Sequence, residues 1–277
     1  MKVAVLSGKG GTGKTLVSTN LAASVNNSVY LDCDVEEPNG HLFFKPQKNK
    51  STEITLKIPI INHDLCNLCR KCVNFCQFNA LAMVNNKVVV FEEMCHACGG
   101  CTYLCPENAI SEKDKVIGNV KTGLSENVEI NTGFLNTNEA SGVAIIEHII
   151  TKYKKDERAI FIDCPPGSAC VVMESIKDAD FCILVAEPTA FGLANLEMVY
   201  ELVKLFKKPF GIVINKVEDK NNLISDFCKK EDIEILEQIL FDKELGRINA
   251  SANLIVREDK DYKEMFQKLF KKIEAKI

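Results

Sequence analysis

The chain of 277 residues carries 34 Lys and Arg against 38 Asp and Glu, a net charge of −4, and is 46% hydrophobic. That is enough apolar material for one large α/β domain with a small insert, and the acidic balance argues against a nucleic-acid partner. No apolar run approaches the ~18 residues that cross a bilayer, and a strand pattern starts at the N-terminus, so the expectation is a cytoplasmic protein without a leader.

In chain order, Lys2-Val3-Ala4-Val5-Leu6 reads as a buried strand. The loop after it fits G-x-x-x-x-G-K-[ST], from Gly8 through Gly13 and Lys14 to Thr15. Phosphate oxygens need crowded N–H donors. Gly8, Gly10, Gly11 and Gly13 leave the backbone bare enough to supply them, with Thr12 between, and the next helix adds its positive end. Lys14 is placed to neutralise the β/γ-phosphates of a nucleotide, and the Thr15 hydroxyl to ligate Mg²⁺. Leu16, Leu21 and Val25 mark the helix. Ser28-Val29-Tyr30-Leu31-Asp32 is a second strand, running into Cys33-Asp34, where carboxylates at a strand's carboxyl end face a ligand crevice.

From Thr52 to Ile61 the chain is again β-like, and then the composition changes. Thirteen cysteines in a reducing compartment point to metal rather than disulfides. Eight of them form Cys66-x₂-Cys69-x₂-Cys72-x₃-Cys76 and Cys95-x₂-Cys98-x₂-Cys101-x₃-Cys105-Pro106. Three thiolates on one tight loop cap one face of an iron–sulfur cubane, so the fourth comes from elsewhere. Two zinc sites are the rival, although zinc knuckles pair C-x₂-C units or include histidine; His63 and His96 read as surface residues. Beyond Lys115 an α/β pattern resumes. A helix runs from Ala140 to Tyr153, a strand ends at Asp163, further strands cover Phe181–Ala186 and Phe210–Asn215, and a last strand segment falls at Leu254-Ile255-Val256. The closing helix, Lys260 to Ile277, is apolar on one face and lysine-rich on the other, and the expectation is that it covers the core rather than lying on a membrane.

Lys9, early in Gly-Lys-Gly-Gly-Thr-Gly-Lys-Thr, makes the loop resemble the deviant Walker A of the MinD/ParA/Mrp ATPases. The resemblance implies a P-loop fold with a mostly parallel sheet flanked by helices, and a homodimer sandwiching nucleotide. Lys9 would reach the partner's nucleotide, and Asp34 would position the attacking water. Asp163 would hold Mg²⁺, and the Gly167 N–H in Asp163-Cys164-Pro165-Pro166-Gly167 would sense the γ-phosphate. Asn215 and Lys216, with Pro188, would line the base pocket. The cysteine stretch resembles a bacterial ferredoxin with two [4Fe–4S] clusters. That resemblance assigns Cys66, Cys69, Cys72 and Cys105 to one cluster and Cys95, Cys98, Cys101 and Cys76 to the other. Gln77 replaces the usual proline after Cys76.

The expected organisation is an ATPase domain in two parts, 1–61 and 113–277, around an α+β ferredoxin-like insert at 62–112. The expected function is a nucleotide cycle coupled to electron transfer with a redox partner. An iron–sulfur assembly ATPase serving an apo-acceptor protein and a ParA/MinD-like positioning ATPase are the alternatives. Cys170 resembles one ligand of a cluster shared between subunits in one branch of the family, but the stretch 138–143 that would supply the other has no cysteine.

Overall fold

Runs of Val, Ile and Leu without polar alternation make strands that are buried on both faces, and such strands belong inside a parallel sheet. The computed structural model, which describes residues 1–219 and 222–277, places them so. The order is β1 (Lys2–Leu6), α1 (Lys14–Ser24), β2 (Ser28–Asp32), α2 (Gly40–Phe44), β3 (Gln47–Ile61), α3 (Lys71–Phe75), β4 (Leu81–Val84), β5 (Lys87–Val90), α4 (Gly100–Tyr103) and β6 (Ile110–Ser125). It continues with β7 (Val128–Leu135), α5 (Val143–Lys152), β8 (Ile160–Asp163), α6 (Cys170–Ile176), β9 (Phe181–Ala186), α7 (Ala190–Leu205), β10 (Phe210–Val217), α8 (Leu223–Lys230), β11 (Ile235–Leu240), α9 (Lys243–Ala250), α10 (Ile255–Glu258) and α11 (Lys260–Glu274).

Among the described residues, nine strands form one sheet in the order β11-β10-β9-β1-β8-β2-β7-β6-β3. From β11 to β7 every neighbouring pair is parallel, whereas β6 runs antiparallel to both β7 and β3. One face of the sheet carries a core that includes Ile146, Ile149, Val172 and Val199 of α5, α6 and α7. The other packs against α1, α9, α10 and α11 through Leu21, Leu245, Ile255 and Phe266. The fold class read from the sequence is therefore an α/β sheet with helices on both faces, extended by an antiparallel edge that the sequence reading did not anticipate.

The stretch expected as a final strand, Leu254-Ile255-Val256, is instead the start of α10. Its β-branched residues favour a strand locally, but all three are buried beside α1, where the Val256 N–H donates to Asn20 Oδ1 at 3.2 Å. Tertiary packing overrides the local preference. The last strand is β11, whose polar Glu237 and Gln238 concealed it.

Long arms β3 and β6 carry the chain out of the sheet and back, with Ile61 paired to Ile110. Between them lies a separate small unit with its own two-stranded sheet, β4-β5, and its own core around Cys72, Leu81, Val88, Cys101 and Ile110. Because β6 begins at Ile110, its first residues fall inside the boundary at 112 drawn from the sequence.

The apolar stripe of α11 faces inward: Phe266, Leu269 and Ile273 are fully buried. No helix among the described residues is long and apolar enough to cross a membrane. Replacing Phe266 with Ala should lower unfolding stability by about 3–5 kcal/mol, read from urea denaturation. A change well below 1 kcal/mol would mean the helix is not part of the core.

Candidate functional site

β1, β8 and β2 lie side by side with Val5 opposite Asp163 and Asp163 opposite Asp32. Their carboxyl ends therefore converge where the loop after β1 turns into α1, the crevice position of an open α/β sheet. The loop is held from several sides. The Gly167 N–H donates to the Ser7 carbonyl at 2.9 Å, the Asn215 amide to the Thr12 carbonyl at 2.8 Å, and the Lys216 ammonium to the Gly11 carbonyl at 2.8 Å. Gly13 has φ +99°, and a Cβ there would lie 2.1 Å from the Asn215 amide nitrogen. Only glycine fits this position.

Lys14 is buried, with its ammonium 2.6 Å from Asp163 Oδ1 and 3.5 Å from Asp34 Oδ2. Burial alone would pull its pKa down, but the two carboxylates outweigh burial and hold it well above the ordinary lysine value. Asp163 also accepts from the Tyr30 hydroxyl at 2.8 Å, and Asp32 from the Gly40 N–H at 2.9 Å. Burial pushes the Asp32 and Asp34 carboxyls upward. Lys9 is bound within the chain to Glu187, and its ammonium lies 5.0 Å from the centre of the Phe191 ring. Lys216 reaches the other Glu187 oxygen at 3.2 Å. Burial acts to raise the Glu187 pKa, yet these two lysines hold it below the usual carboxylate range.

A cavity of about 570 Å³ opens over this loop. Its lining includes Lys9, Gly10, Gly11, Gly13, Lys14, Thr15, Asp34, Asn215 and Lys216, all singled out in the sequence. Gly8, Thr12, Asp163, Gly167 and Pro188 are not part of that lining. Gly8 packs against the Asn195 backbone, and Asp163 lies behind Lys14. The sequence reading missed the opposite wall, formed by Leu42 and Phe43 of α2 and by Leu240, Phe241 and Leu245 around the β11–α9 turn. The signal was Leu240-Phe241 at a strand's end, two large apolar residues each 53% exposed.

The cysteines of the small unit gather in two further cavities. Cys66, Cys69, Cys72 and Cys105 line one, and Cys95, Cys98, Cys101 and Cys76 line the other. Each fourth cysteine thus sits with the opposite run. The backbone repeats with the sequence: φ is positive at Leu68 and Ala97, at Arg70 and Gly99, and at Asn79 and Asn108. Left-handed leucine and arginine are costly and persist only where surrounding structure imposes them. The Ala109 N–H points at the Cys105 sulfur, 3.3 Å away, and all thirteen cysteines are unbridged. Among the described residues no three His, Cys, Asp or Glu converge to hold a single metal ion. His96 stacks on Phe78 at 3.9 Å beside the second cavity. Of the remaining cysteines, Cys33, Cys164, Cys182 and Cys228 are buried and Cys170 is exposed.

Residues 3–255 match the family described as the CobQ/CobB/MinD/ParA nucleotide binding domain. The chain belongs to that family. An uncharacterized protein of Methanocaldococcus jannaschii, MJ0578, is 34% identical over the whole of this chain and 98% of its own length. The cell division ATPase MinD of Pyrococcus furiosus superposes with a TM-score of 0.63 at 18% identity, covering 100% of this chain and 99% of that one. The septum site-determining protein MinD of Pyrococcus horikoshii, complexed with Mg-ADP, gives 0.61 at 19% identity, covering 98% and 95%. At these identities the MinD structures are similar in fold.

Replacing Gly13 with Ala should weaken binding of a fluorescent ATP analogue by about 5- to 150-fold, since strain at that φ is of order 1–3 kcal/mol. An unchanged affinity would remove the loop from the nucleotide site.

Proposed function

We propose that the protein binds and hydrolyses ATP with Mg²⁺ and couples that cycle to electron transfer through two [4Fe–4S] clusters in the unit between β3 and β6. The observation that carries this reading is the sorting of eight cysteines into two four-thiol cavities, with the fourth ligand crossed between runs, in a chain that also bears the P-loop. The donor set fits the group: four thiols line each space, and a backbone N–H is aimed at one sulfur. Cys66, Cys69, Cys72 and Cys105 would hold one cluster, and Cys95, Cys98, Cys101 and Cys76 the other, each supplying a one-electron redox step when bound.

At the nucleotide, Gly10, Gly11 and Gly13 present backbone donors to the phosphates, assisted by the α1 N-terminus. The Thr15 hydroxyl and Asp163 are the residues that would take Mg²⁺. Lys14, now shared between Asp163 and Asp34, is placed to exchange a carboxylate for a phosphate oxygen. Asp34 orients the attacking water for in-line displacement. The apolar wall of Leu240, Phe241 and Leu245 suits a purine face, with Asn215 and Lys216 at its rim. Lys9 would leave Glu187 to reach the nucleotide of a second copy in a sandwiched homodimer, and Gly167 would follow the γ-phosphate. A partner protein would exchange electrons where a cluster comes nearest the surface, at the exposed Cys69 or the exposed Cys98.

A positioning ATPase is the second reading, favoured by the fold similarity to MinD. The buried stripe of α11 counts against a membrane-lying helix in that role.

Anaerobically purified protein should contain about eight irons per chain. Lys14→Ala should abolish ATP turnover and leave that iron in place. Cys76→Ser should alter the same paramagnetic signal as Cys98→Ser, and Cys105→Ser the same signal as Cys69→Ser. Iron-free protein holding zinc would overturn the redox reading, and an uncrossed pattern of signals would overturn the ligand assignment.

A further inference from the structure

A further cavity, of about 350 Å³, lies against α2. It is lined by His41, Lys45, Pro46, Asn49, Lys121 and Thr132, with no carboxylate among them. Leu42 and Phe43 of the same short helix line the nucleotide cavity, so α2 contributes to both.

The arrangement is built by the sheet. Lys121 of β6 is the cross-strand partner of Thr132 of β7, and Thr132 is in turn paired with Asp32 of β2. Phe134, two residues along β7 and on the same face, supports both basic groups. The His41 ring meets it edge-on at 5.3 Å, and the Lys121 ammonium lies 4.7 Å from its ring centre. Lys45 stands at the end of α2, where one of its donors goes to Asn253 Oδ1 at 2.9 Å. Among the described residues neither Lys45 nor Lys121 has a carboxylate partner.

The polar floor is also unsatisfied. Thr132 is 1% exposed, and among the described residues neither its hydroxyl nor His41 Nδ1 has a hydrogen-bond partner. A buried hydroxyl left without a partner is costly, and such groups in native folds call for an explanation. Two ammonium groups without a carboxylate partner, an imidazole and a hydroxyl around one space match the donors that phosphate oxygens need, with lysines acting as point charges. The volume falls in the range of small-molecule sites and leaves room for more than the anion itself.

We propose that this cavity is a second ligand site, for a small molecule bearing a phosphate group, distinct from the nucleotide cavity. Lys121 and Lys45 neutralise the phosphate, and His41 and Thr132 hydrogen-bond it. Asp32 does not oppose it directly: it does not line the cavity, and one of its oxygens is engaged by the Gly40 N–H.

The test reads the site at His41, so that phosphate binding at the P-loop cannot be mistaken for it. Inorganic phosphate is titrated into the full chain, and the imidazole resonance of His41, identified by its loss in His41→Gln, is followed by NMR. The titration is repeated in Lys14→Ala, which separates this site from the nucleotide reading. A saturable shift of the His41 signal is expected in both proteins. It should weaken by about tenfold in Lys121→Ala, as loss of a charged hydrogen bond implies, and recover in Lys121→Arg. Lys121 is exposed, so its replacement leaves the fold intact. No saturable shift up to tens of millimolar phosphate, or a shift indifferent to Lys121→Ala, overturns the proposal. A shift that disappears in Lys14→Ala reports the P-loop alone and overturns it equally.

Discussion

A buried ammonium needs a compensating charge, and in this molecule Lys14 finds two. Its bonds to Asp163 and Asp34 tie the start of α1 to the ends of β8 and β2. Removing one partner of such a buried pair is costly, commonly ~3–5 kcal/mol, so the three segments are held in one geometry. Tyr30 extends the same network by donating to the other oxygen of Asp163, and beside it Asp32 accepts from the Gly40 N–H through Oδ2. Whatever binds Lys14 in place of a carboxylate must therefore rearrange the loops that follow β2 and β8. That is the physical basis for reading them as nucleotide-sensitive.

The same loops connect to the cysteine unit through backbone. Val35, next to Asp34, accepts the Leu135 N–H at 2.9 Å, and Leu135 closes β7 opposite Gly118 of β6. β6 then runs outward beside β3 as the arm that carries the unit. A shift of the segment after β2 has a continuous hydrogen-bonded route to the cysteines, formed by paired strands rather than by flexible loop. The arm also explains how a unit with its own small core can be placed within the sheet's sequence without disturbing the parallel strands. Ile61 and Ile110 meet at its base, so the excursion begins and ends at one point.

The parts legible in the sequence were those whose chemistry demands particular residues at fixed spacing. Bare glycines around phosphate, Lys14-Thr15 at a helix start, Asp163 at a strand end and the doubled cysteine run all belong to this class. What escaped was decided by packing. β6 opens with the polar run Ser111-Glu112-Lys113-Asp114-Lys115, nearly all of it exposed, so it lacks the continuous apolar signature of the central strands. Leu254-Ile255-Val256 has strand-like residues but is helical from Ile255, beside α1. The wall at Leu240 and Phe241 carries no motif, since an apolar surface for a ring can be made from many residues. The Lys9–Glu187 pair joins residues 178 positions apart and has no local trace in the chain.

The central claim is that the nucleotide cycle and the two thiol-lined cavities act on one another through β7 and β6. Redox titration followed by electron paramagnetic resonance, with and without ATP and Mg²⁺, addresses it most directly. The account requires the midpoint potential of at least one cluster to move when ATP is added, and the shift to vanish in Lys14→Ala. Identical potentials under all these conditions, in protein that holds its full iron and turns over ATP, would contradict it.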